Sequence, residues 1–130
     1  CIRDSEQAGR PDDFRVVTFT MMSVADTRRE AYGYVAPVVA GMMAERQPAL
    51  RVLPFFDEMV AKHAERGDDA LIDMPADYWA EIGAIGTFDD ALGHVAALEA
   101  AGVHSINIFP ADQIEIAWDV MPGVAALARR

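Results

Sequence analysis

The fold of this chain is decided by IGTFDDALGHVAALEAAGVHSINIFP, residues 85–110. A short apolar run ends at Gly86-Thr87, an alanine-rich segment follows, and a second apolar run ends at Phe109-Pro110. Short apolar runs bounded by turn residues are typical of buried strands, and the segment between these two has the length of a helix. The stretch therefore predicts two strands joined by a helix.

The ends of this helix are marked by residues with clear local preferences. Thr87 is a natural N-cap, and Asp89 and Asp90 lie in the first turn, where the helix dipole favours negative charge. Gly102 ends the helix, and the next strand begins at Val103. A connection this short is typical of parallel βαβ units.

An earlier strand is predicted at 14–24, FRVVTFTMMSV, which is almost continuously apolar. Such a run is expected of a strand that is covered on both faces. Alternation makes one face wholly apolar, with Val17, Phe19 and Met21. The other face carries the hydroxyl groups of Thr18 and Thr20.

Helices are predicted between and after the strands. Thr27 and Glu30 form a T-x-x-E capping box before a helix. Helical spacing predicts that its buried residues are Ala31, Tyr34, Val35, Val38 and Met42. A second helix is predicted at 50–66, an irregular segment at 70–80, a strand at 82–86 and a last helix at 112–128.

Three parallel strands, each followed by helices, make an incomplete sheet. A (β/α) barrel has helix-packed and inward strand faces, which fits the mixed apolar and polar faces of the first and last strands. A complete barrel of this type needs about 250 residues, whereas this chain has 130. The predicted fold class is therefore α/β, as the C-terminal half of a TIM-type barrel, in one segment that spans residues 1–130.

Composition excludes several classes of function. The chain is 52% hydrophobic and 25% charged, as in globular proteins. Its net charge of -10 argues against a surface for nucleic acids or anionic membranes, because both need clustered Lys and Arg. The apolar runs are too short to cross a bilayer. The single cysteine excludes an internal disulfide and fits a cytoplasmic protein.

The cysteine stands at position 1 and allows two interpretations. Bacterial lipoproteins mature to an N-terminal cysteine, so Cys1 can be a lipidation site. However, residues 2–9 have the pattern of a helix end that runs into a turn at 10–13, whereas a lipid anchor is usually followed by a flexible tether. The alternative is that the numbered chain begins inside a longer polypeptide.

Several motifs in their order resemble the luciferase-like monooxygenase superfamily. The run Ile85-Gly86-Thr87-Phe88-Asp89-Asp90-Ala91 is similar to the family's opening of the penultimate barrel helix. LEAAG at 98–102 leads into the last strand, as in that family. Upstream, Gly9-Arg10-Pro11 and Thr27-Arg28-Arg29-Glu30-Ala31 are also similar to the family's second half. The resemblance covers most of the chain.

The resemblance implies a flavin- or deazaflavin-dependent oxidoreductase of which this chain is the C-terminal fragment. Its coenzyme would be FMN or the deazaflavin F-420, and its reaction on a small-molecule substrate would be hydride transfer or monooxygenation. The N-terminal half, which holds most of the ring site, has no match here, so this chain alone is expected to bind no coenzyme and to be inactive. Two alternatives stay open: a non-enzymatic half-barrel partner subunit, and a small α/β binding module.

Candidate site residues follow from the barrel geometry, since catalytic groups lie at the C-terminal ends of strands. On the inward faces these are Thr20 and Met22 in the first strand and Asn107 and Phe109 in the last. Phe109 would either contact a planar ring or apolar substrate, or cap the core. A half-barrel also leaves edges open, so we expect a homo-oligomer that associates through exposed helices or sheet edges.

Gly86 and Thr87 lie at a strand end and a helix start, where backbone amides can bind an anion. The alternative is a plain turn and cap, which the acidic Asp89 and Asp90 favour because they would repel an anion. We predict no metal site, since His63, His94 and His104 are not paired at ligand spacing.

Tyr78 and Trp79 lie in the segment that leads into the second strand. They are either a lid over a substrate or a hydrophobic plug. In a barrel, the segment that enters a strand lies at the end opposite the active site. This position favours the plug.

Overall fold

A computed structural model describes the backbone of residues 14–110 and 114–129, and the side chains of 14–109 and 121–129. In chain order the elements are β1 (Val17–Val24), α1 (Arg28–Ala44), α2 (Pro48–Arg51), α3 (Phe56–Arg66), α4 (Asp68–Ile72), α5 (Ala76–Ile82), β2 (Gly83–Gly86), α6 (Phe88–Ala100), β3 (Ser105–Pro110) and α7 (Ile114–Leu127). None of the described helices is both long enough and apolar enough to cross a membrane.

The three strands form one sheet in the order β2-β1-β3, and both pairings are parallel. The prediction of an α/β fold with three parallel strands and helices is confirmed. A barrel, however, places its strands side by side in chain order. Here β1 lies in the middle, and the chain passes from one edge of the sheet to the other between β2 and β3. An order that starts 2-1-3 is typical of open, doubly wound sheets.

Helices pack against both faces of the sheet, although the face that carries Phe19 is open beside β3. On one face, Met21 and Ile85 belong to a core built mainly by α1, α3, α4 and α5. On the other face, Met22 and Ala84 pack with Ala91 of α6 and Leu127 of α7. A barrel keeps its helices on the outer face alone. The half-barrel therefore stays a prediction, and the observed arrangement is a sheet between two helical layers.

The cap of α1 is confirmed, since the Thr27 side chain accepts a hydrogen bond from the amide of Glu30 at 3.3 Å. The predicted buried stripe is wrong in part, because Tyr34 is 36% exposed and Tyr32 is 5% exposed. The buried residues of α1 are Ala31, Tyr32, Val35, Ala36, Val39 and Met43. The face of the helix that meets the sheet and α4 is thus rotated from the predicted one.

The segment predicted as one helix at 50–66 is two helices, α2 and α3, separated by residues 52–55. Pro54 explains the break, because proline lacks an amide hydrogen and its ring clashes with the preceding turn. Gly67 ends α3, with a φ of 65°. The irregular segment predicted at 70–80 is wrong, since it contains most of α4 and α5.

The strands are shorter than predicted at their starts. β1 begins at Val17 instead of Phe14, and β3 begins at Ser105 instead of Val103. The predicted last helix is present as α7, and Leu127 near its end is buried. The expectations for Cys1 and for the turn at 10–13 fall outside the described residues.

Candidate functional site

The strand-to-helix turn at Gly86 and Thr87 is built around the carboxylate of Asp90. One carboxylate oxygen accepts hydrogen bonds from the Thr87 amide at 2.9 Å and from the Thr87 hydroxyl at 2.8 Å. The Thr87 side chain in turn accepts from the Asp90 amide, which completes a capping box. Gly86 has a φ of +139°, and a Cβ there would lie 2.5 Å from the same Asp90 oxygen. The turn therefore requires glycine.

Arg28, the first residue of α1, holds the other side of this carboxylate. Its Nε donates to Asp90 Oδ2 at 2.9 Å, and its Nη2 donates to Oδ1 at 2.7 Å. The Arg28 guanidinium and the bonds from Thr87 hold the pKa of the Asp90 carboxyl well below its usual range. This bidentate salt bridge connects the segment after β1 to the segment after β2.

At the start of α6, the Thr87 amide is therefore already bound by the internal carboxylate of Asp90, and the Asp90 amide by the Thr87 hydroxyl. An external phosphate at Thr87 would have to displace Asp90 from both Thr87 and Arg28. The geometry supports the turn-and-cap interpretation of Gly86 and Thr87 instead of the anion-binding one.

The four other candidate residues do not share a face. Neighbouring residues of parallel strands point to the same side, and the register pairs Thr20 with Ile108 and Met21 with Phe109. Thr20 and Met22 thus lie on the α6–α7 side of the sheet, where both are buried.

Asn107 and Phe109 lie on the opposite side of the sheet, and both are exposed. The prediction of one common inward face for the two pairs is wrong. Polarity alone assigned the faces from the sequence, whereas the pairing of β1 with β3 decides them.

Thr20 is tied to His94 of α6. The His94 Nδ1 lies 2.9 Å from the backbone oxygen of Ala80, and its Nε2 lies 2.9 Å from the Thr20 hydroxyl. Because a carbonyl oxygen only accepts, Nδ1 carries the proton, and in the neutral ring Nε2 accepts from the hydroxyl. On this face β2 presents only small residues, Ala84 and Gly86, so no large side chain separates α6 from β1.

A cleft of about 360 Å³ lies beside this histidine, between α5 and α6. Tyr32 of α1 lines its back, and Glu81, Asp89 and Asp90 are its acidic residues. The ring of Tyr32 stacks on Trp79 with the centroids 4.8 Å apart. Burial raises the pKa of the Tyr32 phenol, which therefore stays neutral at neutral pH.

Sequence reasoning did not select this cleft. Trp79 is 1% exposed, which confirms the interpretation of that residue as buried packing. The ring of Tyr78 stacks on that of Phe55 with the centroids 3.9 Å apart, and its hydroxyl donates a hydrogen bond to the Glu58 carboxylate at 2.8 Å. Tyr78 therefore belongs to the same helical layer. The one local signal was the spacing of Asp90 and His94, which places both on one face of a helix.

Two further features lie at β3. A cleft of about 430 Å³ over this strand is lined mainly by apolar side chains, among them Val95, Ile106, Ile108 and Leu127. The opposite face exposes Phe19 by 73%, Val17 by 52% and Phe109 by 43%.

His63 and His104 contact neither Thr20 nor the acidic cleft. His63 Nε2 is 3.0 Å from an Asp68 oxygen, and the His104 ring accepts from the amide of Val16. Within the described residues, no three side chains of His, Cys, Asp or Glu come together as a metal site.

Comparison with known proteins returned no match: no family model, no curated protein and no solved structure is similar to this chain. The fold and the site are therefore described from the chain's own residues.

Proposed function

We propose that this chain is the C-terminal part of a luciferase-like, flavin- or deazaflavin-dependent oxidoreductase that acts on a small-molecule substrate. The order of the motifs at 85–91 and 98–102 supports the proposal, together with the three parallel strands between which they lie. The coenzyme is FMN or the deazaflavin F-420. Most of its site lies on another part of the enzyme.

One observation carries this proposal: the sheet is left uncovered beside β3. Parallel sheets are normally covered on both faces. α1 and α5 cover Met21 and Ile85, which are 4% and 2% exposed, but Phe19 on the same face is 73% exposed. A further part of the enzyme that packs against β1 and β3 would bury this aromatic surface.

The role of the chain follows from which strand ends are free. The Asp90 carboxylate occupies the Thr87 amide and Arg28 at the end of β2, so we place no coenzyme phosphate at Gly86 and Thr87. Phe109 lies at the C-terminal end of β3 and is partly exposed. It is positioned to contact a planar ring or an apolar substrate. A bound coenzyme would supply the hydride or activate oxygen, and Phe109 would orient the reactant and exclude water.

A second candidate is a small α/β binding module without a coenzyme. It is favoured by the strand order β2-β1-β3 and by the helices on both faces, since both are typical of an open sheet. In a barrel, β2 would have to lie between β1 and β3. The oxidoreductase proposal therefore requires a different pairing of β2 once the enzyme is complete.

The two candidates are separated by purifying the protein encoded by the complete reading frame that contains this sequence. Its absorption spectrum and the binding of added FMN or F-420 are then measured. Stoichiometric coenzyme supports the oxidoreductase, and Phe109→Ala should then raise KM or weaken coenzyme binding. Val52→Ala is the matched control, because Val52 is 80% exposed and lies outside the sheet. A complete protein that binds neither coenzyme would exclude the oxidoreductase in favour of the binding module.

A further inference from the structure

We propose that the outer edge of β3 pairs with β3 of a second copy of this chain, so that the two three-stranded sheets become one. The two strands run antiparallel about a two-fold axis at Asn107. This interface does not rest on the proposed coenzyme chemistry. It uses the edge of the sheet and leaves the aromatic face at Phe19 to the further part of the enzyme.

The two edges of the sheet differ in how well they are covered. Every residue of β2 is buried. At β3, none of the residues with a described side chain, 105–109, is buried. An open strand edge is a template for pairing with another chain, and soluble proteins usually protect it with charged residues or proline. The sequence of β3, SINIFP, has no charged residue and its proline comes last, so the edge is unprotected.

The packing of α7 explains why β3 stays open on the side of the sheet where this helix lies. A Cβ at Gly123 would be 3.4 Å from Met22 Cε and 3.5 Å from Val24 Cβ, which places α7 over the central strand. Ile106 and Ile108 are only half-buried, and both line the cleft of about 430 Å³. A sheet that continues past β3 brings the same two isoleucines of the other copy next to them.

The hydrogen bonds of β3 fix the register of this pair. Successive residues of a strand turn their amide and carbonyl groups alternately to its two sides. The Ser105 amide donates to the Val16 carbonyl, so Ser105 and Asn107 are turned towards β1. Ile106 and Ile108 are therefore turned outward, and they are placed symmetrically about Asn107. In an antiparallel pair, Ile106 can exchange both of its backbone hydrogen bonds with Ile108 of the other copy.

Charge and symmetry favour a second copy as the partner. The chain has a net charge of -10, so two copies can meet closely only where their surfaces carry no charge. The uncharged β3 is such a surface. At the axis each Asn107 lies opposite its own counterpart, and two side-chain amides can donate to and accept from each other. Dimers with a two-fold axis are also the commonest soluble oligomers.

The interface is tested by sedimentation velocity on the protein encoded by the complete reading frame. Asn107→Lys and Asn107→Asp each place two like charges opposite each other at the axis, and each should raise the Kd of the dimer at least about fivefold. Asn107 is exposed, so both variants should stay folded, as circular dichroism checks. Val52→Lys and Val52→Asp are the matched controls and should leave Kd unchanged, because Val52 is 80% exposed and lies outside the sheet.

An equimolar mixture of the Asn107→Lys and Asn107→Asp variants tests the register, because opposite charges then face each other at the axis. The mixture should associate more tightly than either variant alone. In the parent protein, the amides of Ile106 and Ile108 should exchange with solvent more slowly at concentrations at which the dimer is populated.

A complete protein that is monomeric up to its solubility would overturn the interface. A dimer whose Kd is the same in both Asn107 variants would overturn it as well. A mixture that associates no more tightly than the single variants would overturn the register at Asn107.

Discussion

Substitution of Gly83 by alanine tests the packing of the sheet directly. Gly83 is the first residue of β2 and pairs with Met21 of the central strand. Its φ of 176° is extended backbone that any residue adopts, so alanine meets no conformational penalty there. The Cβ, however, would lie 2.5 Å from the backbone oxygen of Met21 and 3.2 Å from its carbonyl carbon. One of the two strands must therefore move.

The size of the effect follows from what has to move. Overpacking of a well-packed site costs about 1–3 kcal/mol, and the upper end applies where backbone and not a flexible side chain is in the way. β1 is held on its other side by β3, so β2 has to yield. We expect Gly83→Ala to lower the free energy of unfolding by about 3 kcal/mol and the melting temperature by about 10 °C.

Gly93→Ala is the matched control, since it is the same chemical change in open space. No heavy atom lies within 4 Å of a Cβ at Gly93, which is inside α6. Removing a glycine from a helix interior should raise stability by about 0.5–1 kcal/mol. Urea unfolding followed by circular dichroism measures both variants. If Gly83→Ala unfolds within about 0.5 kcal/mol of the parent protein, the close contact between β2 and β1 is refuted.

Three other substitutions test the site residues. The pKa of Asp90 is lowered in the folded state, so its contribution to stability is present above the unfolded pKa and lost as pH falls below about 4. In urea unfolding, Asp90→Asn should lower stability by about 1 kcal/mol at pH 7 through the weakened cap, and should reduce the loss of stability at acidic pH. An unchanged loss at acidic pH would contradict this. Phe109→Ala should lower the free energy of unfolding by about 1–2 kcal/mol, less than the roughly 3–5 kcal/mol for a buried phenylalanine, because Phe109 is 43% exposed. A larger loss of stability in calorimetry would place Phe109 in the core. Thr20→Val should lower the free energy of unfolding by about 1–3 kcal/mol, because His94 Nε2 loses its hydroxyl partner. Thr20→Ser should largely retain stability in the same assay, and equal losses in the two variants would count against the hydrogen bond.

Local signals in the sequence predicted the elements around 85–110 well. Thr87 caps α6 as expected, and the helix and its neighbouring strands follow in the predicted order. These features depend on contacts between residues only a few positions apart, such as Thr87 with Asp90. The same is true of Gly67, whose positive φ ends α3.

The strand order and the faces depend on residues far apart in the chain. Alternation shows that Thr20 and Met22 share a face, but only the pairing of β1 with β3 shows that Asn107 and Phe109 lie on the other one. The sequence of a single strand does not specify the strand with which it will pair. The prediction of a common inward face failed for this reason.

The acidic cleft was beyond sequence reasoning for a similar cause. Tyr32, Ala80 and His94 come from three helices, and nothing local indicates that they meet. Helical spacing in α1 predicts Tyr34 for the core, whereas Tyr32 is the buried one. The large partner that decides the matter is Trp79, which stacks on Tyr32.

The bonds of Asp90 to Thr87 and Arg28 limit the surfaces at which this chain can bind a ligand. In open parallel sheets, ligands usually bind beyond the carboxyl ends of the strands, where helix amides point outward. Here the Thr87 amide and hydroxyl and the Arg28 guanidinium are bound to one internal carboxylate. Three places in the described part of the chain are not closed by Asp90: the exposed aromatic face at Phe19 and Phe109, the cleft over β3, and the cleft lined by Tyr32. The first two are mainly apolar and suit a macromolecular partner or a planar or apolar ligand, whereas the third carries the acidic residues Glu81, Asp89 and Asp90.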